Sequence, residues 1–233
     1  MPPRAAFFMQ LKIREIPRLL NSNKILLCRI TKFKKMKKLF LSVSLIAIVT
    51  TVAFSQSVSG GLRLGMNIAN QTTSLGGTSI SASAKVGLMA GGYLTIMTSE
   101  KFGIQPELVF SQFGASASSG GTSMSNNFNY LSLPVILRYN VTPNFNLQAG
   151  PQLGILLSAS QTSGSTTVDI KDQANGIDFG LVFGAGIDFG KFNGGIRYYI
   201  GLTNLQKNVP QGLDLKTTNS GIQIFIGYAL FGK

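Results

Sequence analysis

Residues 177–189 read IDFGLVFGAGIDF, and this segment shows most clearly the pattern that predicts the fold class. All of its odd-numbered positions are apolar, whereas its even-numbered positions hold two aspartates, three glycines and one valine. Alternation with a period of two residues predicts a β-strand whose two faces meet different surroundings. The segment is also long enough to cross a bilayer, because a tilted spanning strand needs about 9–11 residues.

The same alternation recurs in seven other segments, so the sequence predicts eight strands of about ten residues. Their apolar faces begin at Leu62, Val86, Phe102, Leu131, Phe145, Ile177, Phe192 and Ile222. None of the 46 apolar-face positions is charged. Every charge that falls within a strand lies on the opposite face, namely Arg63, Lys85, Glu107, Arg138, Asp178, Asp188 and Arg197.

The orientation of the two faces determines which solvent surrounds the protein. A soluble, secreted, lipocalin-like binder would turn its apolar face inward and carry many charges outside. The charged face here has only seven charges and thirteen glycines among 40 positions, too few charges for a water-facing exterior. We therefore predict an all-β fold, an eight-stranded antiparallel up-and-down transmembrane β-barrel with apolar residues toward lipid.

The connections between the predicted strands alternate strictly between short and long. The short ones are residues 99–101, 142–144 and 190–191, and the long ones are residues 70–84, 114–128, 158–176 and 203–220. The Ser-rich parts of two long connections, 116–127 and 158–167, are predicted to be solvated loops. With an even number of strands, both termini should lie in the periplasm and the long loops outside the cell.

Aromatic residues gather near the predicted strand ends and are expected to form girdles at both membrane interfaces. They are Phe102, Phe145, Phe189 and Phe192 at the short turns, and Phe110, Phe113, Phe128 and Tyr130 at the long loops.

The N-terminal 55 residues differ sharply in composition from the rest. They carry eleven of the 21 basic residues, one of the eight acids and none of the 27 glycines. Residues 36–55 combine Lys37 and Lys38, an apolar core and a small-residue exit, which predicts a cleaved signal peptide. Residues 1–35 precede this complete signal and are interpreted as a mis-assigned N-terminal extension. Residues 56–233 then form the barrel domain.

Composition excludes several function classes. The chain has no His, and its single cysteine, Cys28, lies in the leader. Imidazole bases, thiolate nucleophiles and metal sites built on imidazole or thiolate ligands are therefore absent from the barrel domain, and we expect no enzyme activity, no metal and no cofactor. The high pI does not indicate nucleic-acid binding, because most of the excess positive charge lies in the leader.

The seven inward charges are expected to form a structural interior polar network rather than a catalytic or binding site. An eight-stranded barrel has room inside only for side chains, and a charge enclosed there must be paired. A transport role, as a narrow pore or a component of a secretion apparatus, is the first alternative in another class. The expected partners are outer-membrane lipid and, during insertion, the barrel-assembly machinery.

Six segments of the chain also carry a resemblance to a known family. In order, they are GGLRLGMNIAN, GLMAGGYLTIMTSEKFGIQPELVFSQFG, YLSLPVILRY, LQAGPQLGILLSA, FGLVFGAGIDF and GGIRYYIGLTN. They resemble the PorT-like outer-membrane β-barrel family of Bacteroidetes, and the match spans residues 58–231. The resemblance implies a bacterial outer-membrane barrel, usually of unassigned role. The founding member is associated with type IX secretion, but the family is broad and its motifs are architectural, so an accessory role in that secretion is kept only as an alternative.

Overall fold

The computed structural model describes residues 57–119, 122–207, 209 and 215–232. The predicted extension (1–35) and signal peptide (36–55) lie outside these residues. No helix among these residues is long and apolar enough to span a membrane.

Ten antiparallel strands account for nearly all of the described chain. Eight long strands pair in the order β10-β9-β8-β6-β5-β4-β3-β1, and β1 pairs with β10 to close the ring. The short strands β2 and β7 pair only with β1 and β6. The bounds are β1 (Ser57–Leu75), β2 (Thr78–Ser81), β3 (Ser83–Met97), β4 (Phe102–Ser119), β5 (Thr122–Asn140), β6 (Phe145–Ser163), β7 (Thr166–Asp169), β8 (Ile177–Phe189), β9 (Phe192–Gly201) and β10 (Leu215–Phe231).

The closed antiparallel ring of eight strands confirms the predicted fold class, and the described residues contain two further short strands. The eight alternating segments correspond to the eight ring strands, and β2 and β7 are additional. Two segments predicted to be loops, 116–127 and 158–167, instead lie mostly in strands β4 to β7. Beyond the apolar belt both faces of a strand meet water, so these extensions lack the apolar alternation on which the prediction depended.

Backbone pairing and hydroxyl groups also hold together the β1–β2 hairpin, which is a third extension of this kind. The Thr72 and Ser81 hydroxyls are 3.1 Å apart across the β1–β2 hairpin, and those of Ser74 and Ser79 are 2.7 Å apart. Gly76 and Gly77 make the tight turn with φ of 55° and 87°, as a two-residue hairpin with positive φ at both positions requires. The β1–β2 and β6–β7 segments that were predicted to be loops are therefore paired hairpins, and we call this end of the ring the long-hairpin end.

The side chains alternate about the wall of the ring as predicted. On β1, the Leu64 side chain is 60% exposed and its neighbour Arg63 only 1%. The apolar face of the ring strands is mostly exposed or half-buried in the same way, with Ile96 an exception at 2%, while amides, charges, glycines and an apolar cluster fill the interior. This arrangement is the reverse of the one that a soluble lipocalin-like binder requires.

Three of the eight residues predicted to form aromatic girdles are placed wrongly. Phe102, Phe145, Phe189 and Phe192 are exposed near the short turns, as predicted. Phe113, Phe128 and Tyr130 instead point into the ring and belong to its buried apolar cluster. Their position in the alternation explains this difference, because each lies on the same face as the inward charges of its own strand.

Two adjacent glycines test how closely the ring wall is packed. A Cβ atom at Gly91 would lie 2.1 Å from the Leu108 carbonyl oxygen, whereas one at Gly92 would lie 3.5 Å from that of Gly61. We expect Gly91→Ala to lower the free energy of unfolding by about 1–3 kcal/mol, because backbone must move. Gly92→Ala should change it by less than about 0.5 kcal/mol. Urea unfolding in detergent measures both, and equal losses would contradict the prediction.

Candidate functional site

Five of the seven predicted interior charges meet in two clusters. Arg63 on β1, Glu107 on β4 and Arg197 on β9 form the central cluster, which bridges the lumen. Arg138 on β5 and Asp188 on β8 form the turn-side cluster, near the short turns. All five side chains are buried.

The central cluster joins one carboxylate to two guanidinium groups. Arg197 makes a bidentate contact, with Nη2 2.7 Å from Glu107 Oε1 and Nη1 3.1 Å from Oε2. Arg63 donates Nη1 to the same Oε1 atom. Both guanidinium groups also lie against the ring of Phe225, with Cζ 4.0 Å from its centroid for Arg63 and 4.5 Å for Arg197. Cations over an aromatic face gain a further electrostatic attraction.

Buried carboxamides link the central cluster to the turn-side cluster. Arg197 Nε donates to Gln148 Oε1 at 2.6 Å, and Gln148 Nε2 donates to Asn146 Oδ1 at 2.6 Å. Asn146 Nδ2 then reaches Asp188 Oδ2 at 3.3 Å, where Arg138 also binds. Sequence analysis did not single out these amides, although their inward positions in the alternation could have identified them.

Asp178 and Lys85 take part in neither cluster. Asp178 is buried nearer the other end of the lumen, where Asn219 Nδ2 donates to its Oδ2 atom at 3.0 Å. Lys85 is half-buried on β3, opposite Ala69 of β1. No ion pair found among the described residues includes either side chain. The structure therefore brings together five of the seven predicted charges.

Between the central cluster and the long-hairpin end, the lumen is filled mainly by apolar side chains. Phe113, Tyr130 and Tyr199 pack together, with ring centroids 6.1 Å apart for Phe113 and Tyr130 and 5.2 Å for Phe113 and Tyr199. Ile136 and Val182 complete this apolar layer. A stack of ion pairs, amides and aromatic rings thus occupies the interior.

The chemistry available to this interior is limited. Within the described ranges, no group of three or more acidic or sulfur-bearing side chains could hold a metal ion. The carboxylate of Glu107 is engaged by both arginines and by Gln105, whose Nε2 donates to it at 2.7 Å. Glu107 is therefore held within a network of charge-assisted hydrogen bonds inside the lumen.

Comparison with known proteins agrees with this architecture. A family model described as "Outer membrane protein beta-barrel domain" matches residues 54–207. No curated protein sequence matches the chain.

Three solved structures are similar to the chain at low identity. Ail, the attachment invasion locus protein of Yersinia pestis, is 14% identical with a TM-score of 0.43, over 75% of this chain and 100% of that one. Neisserial surface protein A (NspA) is 11% identical with a TM-score of 0.44, over 74% and 99%. OprG from Pseudomonas aeruginosa is 14% identical with a TM-score of 0.35, over 74% and 94%.

Proposed function

Because the chain belongs to the outer membrane protein beta-barrel domain family, we propose that it is a non-enzymatic barrel with a closed lumen, serving a structural or accessory role in the bacterial outer membrane. The observation that carries the proposal is the central cluster. Arg63, Glu107 and Arg197 come from three different strands and meet inside the ring, with Phe225 against both arginines. A lumen filled in this way holds side chains rather than a water column.

The proposed placement puts both termini in the periplasm and the long hairpins outside the cell. The first and last strands pair along most of their length, and the short turns lie at the same end of the ring as the start of β1 and the end of β10. In this placement residues 36–55 act as a cleaved signal peptide, the exposed apolar belt contacts outer-membrane lipid, and the barrel-assembly machinery inserts the chain.

A finer assignment rests on the sequence resemblance. We propose that the chain is a PorT-like barrel of Bacteroidetes, on the strength of motifs such as Gln105-Pro106-Glu107-Leu108 and Gly150-Pro151-Gln152. Alternation alone does not require these residue types. An accessory role in type IX secretion remains an alternative within this assignment, and deletion of the gene followed by a secretion assay would test it.

Conductance across a planar bilayer tests the closed lumen. We expect the purified protein to give no discrete current steps, whereas a porin of about 16 strands in the same membrane should give them. Refolding is verified by the mobility shift between unheated and boiled samples on a gel. Current steps whose ion selectivity changes when Glu107 is replaced by Gln would refute the closed lumen and favour a transport function.

A further inference from the structure

A cavity of about 450 Å³ opens at the long-hairpin end of the ring, above the apolar layer. Its lining includes five carboxamide side chains and one aromatic ring, namely Gln71, Asn126, Gln161, Gln173, Gln206 and Phe128. We call this the mouth cavity. Its volume lies in the range of about 300–1,000 Å³ that is usual for small-molecule sites.

None of the described residues that line the mouth cavity is charged. An ionic ligand would lose its hydration there without gaining a counter-charge, which is costly. A carboxamide both donates and accepts hydrogen bonds, so five of them match a ligand that carries many neutral groups of both kinds. Hydroxyl groups on a sugar ring are such groups.

The carboxamides on the barrel side of the cavity are already ordered by one another. Gln161 Nε2 donates to Asn126 Oδ1 at 3.1 Å, and Asn126 Nδ2 lies 3.4 Å from Gln71 Oε1. Gln71 Nε2 in turn donates to Asn219 Oδ1 at 3.2 Å. This row crosses the lumen from β6 to β1 and presents amides in fixed orientations, which lowers the entropic cost of binding.

On the opposite side of the cavity, the carboxamides of Gln173 and Gln206 have donor and acceptor atoms that are largely unused. Within the described part of the chain, the Gln173 carboxamide makes no hydrogen bond, and Gln206 Nε2 reaches only Thr217 Oγ1 at 3.4 Å. Their backbones are nevertheless held in place, because Lys207 N donates to the Gln173 carbonyl at 3.0 Å and Asn175 N to that of Leu205 at 2.7 Å. Exposed amides on an anchored backbone are suited to contacting a ligand.

An aromatic surface completes the site. Phe128 lines the cavity and lies parallel to Tyr130 beneath it, with centroids 6.4 Å apart and an angle of 12° between the rings. Phe128 is 5% exposed, so the C–H groups of a sugar can contact the small part of this ring that faces the cavity while its hydroxyls face the amides. Ile170 and Leu205 add apolar surface to the walls.

We propose that the mouth cavity binds a neutral saccharide of one or two residues at the end of the barrel that carries the long hairpins. This inference goes beyond the closed-lumen function and does not depend on it, because the cavity lies outside the central cluster. The row of Gln71, Asn126 and Gln161 orients the hydroxyls, and Gln173 and Gln206 contact the ligand from the opposite side.

Saturation-transfer NMR and titration calorimetry with maltose, cellobiose, lactose and diacetylchitobiose test the proposal. The protein is kept in a detergent without a sugar headgroup, so that the detergent does not occupy the site. We expect saturable binding of at least one of these disaccharides. The double substitution Gln173→Ala and Gln206→Ala should weaken it about tenfold, the loss expected for two hydrogen bonds.

Gln112→Ala is the matched control, because the Gln112 side chain lies on the outer face of the wall and accepts from Leu88 N at 3.1 Å. It should leave binding unchanged, and the gel mobility shift verifies that each variant is folded. The proposal is overturned if no disaccharide binds at about 10 mM, if the double variant binds as tightly as the parent, or if a sulfated disaccharide or an unstructured peptide binds equally well.

Discussion

Replacing Glu107 by Gln should lower the free energy of unfolding by about 3–5 kcal/mol. The substitution preserves shape but removes the one negative charge between two buried guanidinium groups. Arg63 and Arg197 would then be two enclosed positive charges without a nearby negative charge. Their cation–π contacts with the Phe225 ring would remain, but these are weaker than an ion pair. Removing one partner of a buried ion pair costs more than the pair itself contributes, since the remaining charge stays enclosed.

Asp178→Asn is the matched control, because it makes the same chemical change at another buried acid. Asp178 has no ion pair among the described residues, and an amide oxygen there can still accept the Asn219 hydrogen bond. We expect its unfolding free energy to change by less than about 1 kcal/mol or to increase. Urea titration followed by the gel mobility shift measures both variants, since the chain contains no Trp for fluorescence. Equal losses would show that Glu107 has no special electrostatic role.

The eight ring strands could be predicted from sequence because each strand separates two different environments. Around Arg63 and Leu64, the outer side of the strand is apolar and the inner side is polar. Alternation in the sequence therefore predicts directly which side chains point outward and which point inward. The hairpin extensions lack that contrast. In the β1–β2 hairpin, hydroxyl pairs such as Thr72 with Ser81 leave no periodic signal, and composition resembling a loop conceals regular pairing.

The candidate site could be predicted only in part, for a related reason. Alternation places Arg63, Glu107 and Arg197 on the inward face, but their meeting depends on how far each strand is shifted along its neighbours around the ring. That stagger arises from pairing of the whole sheet and has no local sequence signal. Phe128, by contrast, could have been placed inside by alternation alone, because it has the same parity as Arg138 on β5. The expectation of an aromatic girdle led to the opposite placement.

Exposed apolar side chains occur both in the apolar belt and in the hairpin extensions, and the two groups should respond differently to substitution by arginine. Leu64 and Ile80 are both exposed apolar side chains, at 60% and 72%. Leu64 lies in the middle of the belt, between Ala90 on β3 and Ile226 on β10, whereas Ile80 lies on β2, opposite Thr73 in the hydroxyl-rich extension. In water, the two positions should tolerate an arginine equally well.

In a bilayer the two positions should differ strongly. Leu64→Arg should lower the free energy of unfolding by about 2–4 kcal/mol, because an arginine at the midplane must lose its hydration or distort the lipid. Ile80→Arg should lower it by at most about 1 kcal/mol, since its side chain extends beyond the hydrocarbon. Unfolding in phospholipid vesicles of defined thickness measures the difference, and the same pair in detergent micelles should differ less. Equal losses in vesicles would mean that the exposed apolar belt does not face lipid, and the outward orientation of Leu64 would need another explanation.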